Sequence, residues 1–146
     1  MSRSADALTI RLARTDEHAA LEDLQRRASL ALPEYSKQLQ AHPDAIHLPP
    51  AQIANGQVFV AELEGSIAGF AALVGAELDG LFVEPGLWRR GIGRALADKA
   101  TQEARNKGLT LTVIAAPAAK AFYESCGFAF EGDAVTRFGP ALRMSK

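Results

Sequence analysis

The segment "PGLWRRGIGRAL", residues 85–96, gathers three arginines and three glycines between apolar flanks. Arg89 and Arg90 precede Gly91-Ile92-Gly93, and Arg94 follows. The stretch before it, "LDGLFVE", reads as a strand. The stretch after it, "ADKATQEARNKG", reads as a helix with a glycine stop. The first amides of a helix lack intrahelical partners and carry the positive end of its dipole. Glycines there remove the Cβ atoms that would hold a ligand away. The pattern predicts an anion cradle suited to a phosphate, with Arg89, Arg90 and Arg94 adding positive charge around it.

Two common phosphate loops fail on their residues. A P-loop continues Gly-Lys-Ser/Thr, whereas this loop continues Gly93-Arg94-Ala95. A dinucleotide fingerprint needs a third glycine where Leu96 stands, and a parallel βαβ setting that the preceding strands do not suggest.

The elements that must position this loop follow from periodicity. "ALTIRLA" (7–13) alternates as a first strand. A helix follows, with Thr15 as its expected N-cap and Leu21, Leu24, Ala28 and Leu32 on one face. Residues 33–56 are the least regular; they suggest a short helix and then a loop closed by Pro49-Pro50. "QVFVAELEG", "SIAGFAALVG" and "AELDGLFVE" read as a three-strand antiparallel meander. The long helix covers 90–107, "LTLTVIAA" is a strand ended by Pro117, and "AAKAFYESCG" is a short helix. "FAFEGDAV" and "TRFGPALRM" close the chain as strands. The expected architecture is one α+β domain over 1–146, with a mixed, mostly antiparallel sheet flanked by helices on both faces.

Two motifs in this order resemble the GNAT superfamily of N-acetyltransferases. Its signature, Gln/Arg-x-x-Gly-x-Gly/Ala, opens the helix after the fourth strand. Here it corresponds to Trp88-Arg89-Arg90-Gly91-Ile92-Gly93, with Trp88 in the first place. "AAKAFYESCGF" resembles the later Asn-x-x-Ala-x-x-x-Tyr and Gly-Phe motif through Ala119, Tyr123, Gly127 and Phe128, with Ala116 where Asn is common. The resemblance implies a GNAT-like acyl-CoA N-acyltransferase fold that uses acetyl-CoA as cosubstrate and no metal. The amides of residues 89–94 would hold the pyrophosphate. Leu81, Phe82 and Val83, on a strand that Gly80 marks for a bulge, would pair with the pantetheine arm, and Ala116 would lie beside it.

The same resemblance implies direct acetyl transfer to an amine of a small molecule or peptide. Tyr123 occupies the place of the proton donor to the departing thiolate; a phenol is protonated at neutral pH. Its alternative reading is packing on the short helix. Glu77, at the head of the fourth strand, is the candidate base, against a solvated residue after a hairpin turn. Regular alternation would put Glu77, Asp79, Leu81 and Val83 on one face. Cys126 has no neighbouring His and reads as a packed small residue. His42, Asp44 and His47 lack the further ligands a metal needs; His47 is an alternative acceptor-site residue.

Composition bounds the rest. Sixteen Lys+Arg against 17 Asp+Glu leave a net charge of −1. That balance argues against a nucleic-acid or membrane-surface partner. A single cysteine and no apolar N-terminal core point to a cytoplasmic protein without a signal peptide. Acceptor choice is expected to rest on residues 25–56 and 130–140. No acidic mouth for polycations stands out there. Homodimers are common in the family. The competing reading is a catalytically weak acyl-CoA-binding sensor or interaction module on the same fold.

Overall fold

The structure, a computed structural model, describes residues 8–146 and, within them, all side chains but those of residues 33–35. The expected strand start at Ala7 lies outside the described residues. The elements are β1 (Leu8–Leu12), α1 (His18–Leu30), α2 (Pro33–Ala41), α3 (Pro50–Ala54), β2 (Val58–Leu63), β3 (Ser66–Val74) and β4 (Glu77–Val83). Then come α4 (Ile92–Asn106), β5 (Thr112–Ala115), α5 (Lys120–Ser125), β6 (Ala129–Thr136) and β7 (Gly139–Ser145).

One sheet runs β1-β2-β3-β4-β5-β7-β6. Every neighbouring pair is antiparallel except β4 and β5. Alternation along β2 and β3 sends residues to two cores. Phe59, Ala61, Ala71 and Leu73 pack under α4 and α5, with Leu96, Ala97, Ala100 and Met144. Val58, Val60, Phe70 and Ala72 pack under α1, with Leu21, Leu24 and Ala28. The alanines on the buried stripe of α4 let its backbone lie close to the sheet. Gly69 leaves room at the same place: a Cβ there would stand 2.7 Å from the Phe82 carbonyl oxygen of β4 and 3.3 Å from the Leu96 side chain of α4.

Several boundaries differ from expectation. Thr15 begins a 3-10 turn and does not cap α1; the Glu17 carboxylate instead accepts the Arg14 amide at 2.8 Å. The irregular stretch holds one helix more than expected, because Pro50 opens α3 at a position where its missing N–H costs nothing. β7 starts at Gly139, not Thr136. Arg137 and Phe138 form the turn of a hairpin closed by the Thr136–Gly139 pair.

The decisive irregularity lies in β4. Ala72 pairs with Gly80 and Leu73 with Leu78, so Asp79 is an extra residue, a β-bulge. The bulge resets the alternation. Leu78, Leu81 and Val83 all meet the α4-side core, whereas Phe82 meets the α1-side core. Glu77 therefore does not share a face with Leu81 and Val83. Beyond Glu77–Thr112 and Leu78–Val113, β4 and β5 have no further paired residues and part.

Candidate active site

The parting of β4 from β5 opens a cleft on the α4 side of the sheet. A cavity of about 610 Å³ fills it. Leu81 and Val83 form its sheet wall, the loop 87–94 its rim, and Ala119, Phe122 and Tyr123 its far side. Ladder hydrogen bonds alternate along a strand. Glu84 N–H donates to Ala68 on the β3 side, so the peptide groups of Leu81 and Val83 face the cleft. The Trp88 indole, 41% exposed, donates to the Val83 carbonyl at 2.9 Å and covers this end of the cleft.

The loop before α4 is conformationally unusual. Arg89 takes φ +68°, a left-handed conformation that costs a non-glycine residue about 1 kcal/mol or more. Gly91, the N-cap of α4, takes φ +82°. The helical ladder starts with Ala95 N–H to the Gly91 carbonyl at 3.0 Å. The amides of Gly91, Ile92, Gly93 and Arg94 precede it and open toward the cavity, which these residues line. Alternating left-handed residues around Arg90 curve this backbone into a nest, the concave arrangement that suits an anion.

The two glycines work differently from each other. A Cβ on Gly91 would meet no protein atom within 4 Å, so its role is the left-handed turn. A Cβ on Gly93 would stand 3.1 Å from the Phe122 ring. Gly93 therefore makes room for α5 as well as for a ligand, a contact the sequence reading missed. Phe122, directly before Tyr123, was its only trace in the chain.

Tyr123 is 8% exposed, and its ring meets Phe122 and Phe128 edge-on, with centroids 5.0 and 5.2 Å away. Burial, with a smaller contribution from Cys126, pushes its phenol well above the usual tyrosine range, so the proton stays on. Cys126 is buried in the same core, and burial likewise raises its thiol above the usual value. That opposes the thiolate a nucleophile requires.

The other expected residues lie apart from this cavity. Arg90 is exposed on the rim and does not line it. Phe82 sits on the opposite face of the sheet against Phe70, with centroids 5.4 Å apart. Ala116 lines a smaller cavity on that opposite face. Glu77 is exposed at the closed end of β4, where β5 is still paired. His47 turns to Glu22 of α1 at 3.3 Å, and among the described residues no cluster of three or more His, Cys, Asp or Glu could hold a metal.

The profile of the acetyltransferase (GNAT) domain matches residues 54–129, from the end of α3 to the start of β6. The chain belongs to the GNAT acetyltransferase family. The matched span contains the bulge, the loop before α4 and Tyr123. Among curated proteins, none matches the chain by sequence. Among solved structures, a GCN5-related N-acetyltransferase from Rhodopseudomonas palustris is 24% identical with a TM-score of 0.79, covering 100% of this chain and 96% of that one. The ribosomal-protein-S18-alanine N-acetyltransferase of Escherichia coli is 27% identical, with a TM-score of 0.66 over 94% and 92% of the two chains. The PaiA N-acetyltransferase of Thermoplasma acidophilum, solved with coenzyme A, shares the GNAT fold at 19% identity, with a TM-score of 0.74 over 95% and 98%.

Proposed function

We propose that the protein transfers an acetyl group from acetyl-CoA to an amine of a small molecule or peptide by direct attack. The observation that carries this reading is the nest at Arg89–Gly91, opening on a cavity walled by Leu81, Val83 and Tyr123. Its residues fit the cosubstrate: the amides of residues 91–94 suit a pyrophosphate, and the strand edge at Leu81 and the Val83 amide, beside the carbonyl that Trp88 occupies, suits an amide-bearing arm. When bound, acetyl-CoA supplies the acyl group as an activated thioester.

The chain's own residues then have three tasks. Arg89 and Arg94, both at the cavity, balance the charge of the phosphates. Tyr123 holds a proton at Oη across the working pH range and donates a hydrogen bond toward the leaving sulfur. Its raised pKa makes it a retentive donor rather than a strong acid. Glu77 is the candidate base. From its exposed place at the head of β4 it would act through water, keeping the acceptor amine neutral.

The position of Glu77 outside the cavity also favours a second reading, a catalytically weak acyl-CoA-binding sensor or interaction module. Thiol release from acetyl-CoA across a panel of amines, run beside a binding titration, separates the two. Turnover on any amine supports the enzyme. Tight binding with no turnover supports the module, and absence of binding removes both.

A further inference from the structure

The sheet has two faces at the β4–β5 parting, and the nest serves only one. On the other face, Leu32, Leu39, Phe82, Ile114 and Ala116 line a cavity of about 260 Å³. Phe138, at the β6–β7 turn, walls this cavity and also a neighbouring recess of about 500 Å³. Lys37, His42 and Arg137 line that recess. Among the described residues no carboxylate lines either space.

Arg137 is held in place. Its guanidinium lies 5.2 Å from the Phe138 ring centre, and Nη1 and Nη2 donate to the Asp44 carboxylate at 3.2 and 3.4 Å. Asp44 is largely exposed on the outer side and does not line the recess, so it orients the guanidinium without filling the space. Arg137 keeps further N–H groups for a second anion. The two spaces form a sequence: the parting of the strands, an apolar passage, then a cationic end.

Resting on the acetyl-transfer reading, we infer that the acceptor is an amine joined by an apolar spacer to an anionic group, with the spacer along Phe82 and Ile114 and the anion at Lys37, His42 and Arg137. The passage, apolar but for the Ser29 and Thr136 hydroxyls, solvates a hydrated second amine poorly, and the cationic end repels it. An anion there gains charge-assisted hydrogen bonds.

Three amines with one spacer and different ends test this: hexylamine, ε-aminocaproate and hexamethylenediamine. With saturating acetyl-CoA, kcat/KM should be about fivefold higher for aminocaproate than for hexylamine, the scale of a partly exposed ion pair. Hexamethylenediamine should rank last. Lys37→Gln and Arg137→Gln should each bring the aminocaproate-to-hexylamine ratio toward one, and Lys37→Arg should restore it. Equal rates for the two amines, or preference for the diamine, would overturn the inference. Calorimetry of each amine with the protein loaded with coenzyme A distinguishes this from failure of acetyl transfer. If no amine is turned over, tighter binding of aminocaproate that depends on Lys37 upholds the anionic subsite and sinks the acetyl-transfer reading. Equal binding of all three sinks the subsite.

Discussion

Tyr123 carries a proton that burial makes hard to lose, and its ring fills core space between Phe122 and Phe128. Tyr123→Phe keeps the ring contacts and removes only Oη. It should therefore lower kcat by about tenfold to a hundredfold, in the range of one lost proton-transfer group, while leaving acetyl-CoA affinity nearly constant. Equal turnover in both proteins would return Tyr123 to a packing role. The loop glycines separate two causes in the same way. Gly91→Ala must hold an L-residue at φ +82°, costing about 1 kcal/mol, and should weaken acetyl-CoA binding through a distorted nest. Gly93→Val should push on Phe122 and lower thermal stability more than Gly91→Ala does. Denaturant melts and titration of the two variants measure both effects; Trp88, the single tryptophan, sits on the cavity rim and offers a fluorescence signal.

At the scale of elements, the site depends on one extra residue in β4. Deleting Asp79 would restore simple alternation and exchange the faces of the residues on one side of it. The deletion should abolish acetyl-CoA binding and destabilise the fold severely, whereas Asp79→Ala should do neither. Its side chain makes one exposed hydrogen bond, from Gln52 at 3.2 Å. Circular dichroism melts with calorimetric titration compare the two variants. A second element-level feature ties β1 to the turn before α1. Arg11 donates to Glu17 at 2.9 and 2.6 Å and to Glu62 of β2 at 3.2 Å. The Arg11 hydrogen bond is the main cause holding Glu17 below the usual carboxylate range; burial opposes it. A lowered folded-state pKa contributes stability that is present above the unfolded value, about 4.3, and is lost as pH falls below it. Glu17→Gln should cost on the order of 1–3 kcal/mol near neutral pH and flatten the acid limb of the stability profile. An unchanged acid limb in urea melts would show that the pair contributes little.

The whole molecule carries almost no net charge, so attraction for a polyanionic cosubstrate must come from the local group of Arg89, Arg94 and helix amides. Two cores clamp one sheet, and the cavity is bounded by loop 87–94, β4, α4 and α5. A ligand bound there bridges these elements. Coenzyme A at a hundredfold excess over its Kd should add about 2.7 kcal/mol to the unfolding free energy. A melting temperature that does not rise with coenzyme A would remove the cavity as its site.

Local rules made much of this legible in the chain. The glycine pair at a helix start, the alternating strands and the long amphipathic helix depend on neighbours a few residues apart. They predicted the meander and α4, with the glycine pair at its head. Three features depend on partners far along the chain; only the tertiary structure placed the bulge that Gly80 had signalled and brought out the other two. The bulge at Asp79 is defined by pairing with Ala72 and Leu73, and it separated Glu77 from the face of Leu81 and Val83. Gly93 packs against Phe122 across the cleft. Lys37 and Arg137 meet around Phe138 because α2 and the β6–β7 turn fold to the same side of the sheet. Spacing along a chain encodes which face a residue takes within its own element. Which elements then meet, and where a strand shifts phase, is decided by long-range packing and pairing.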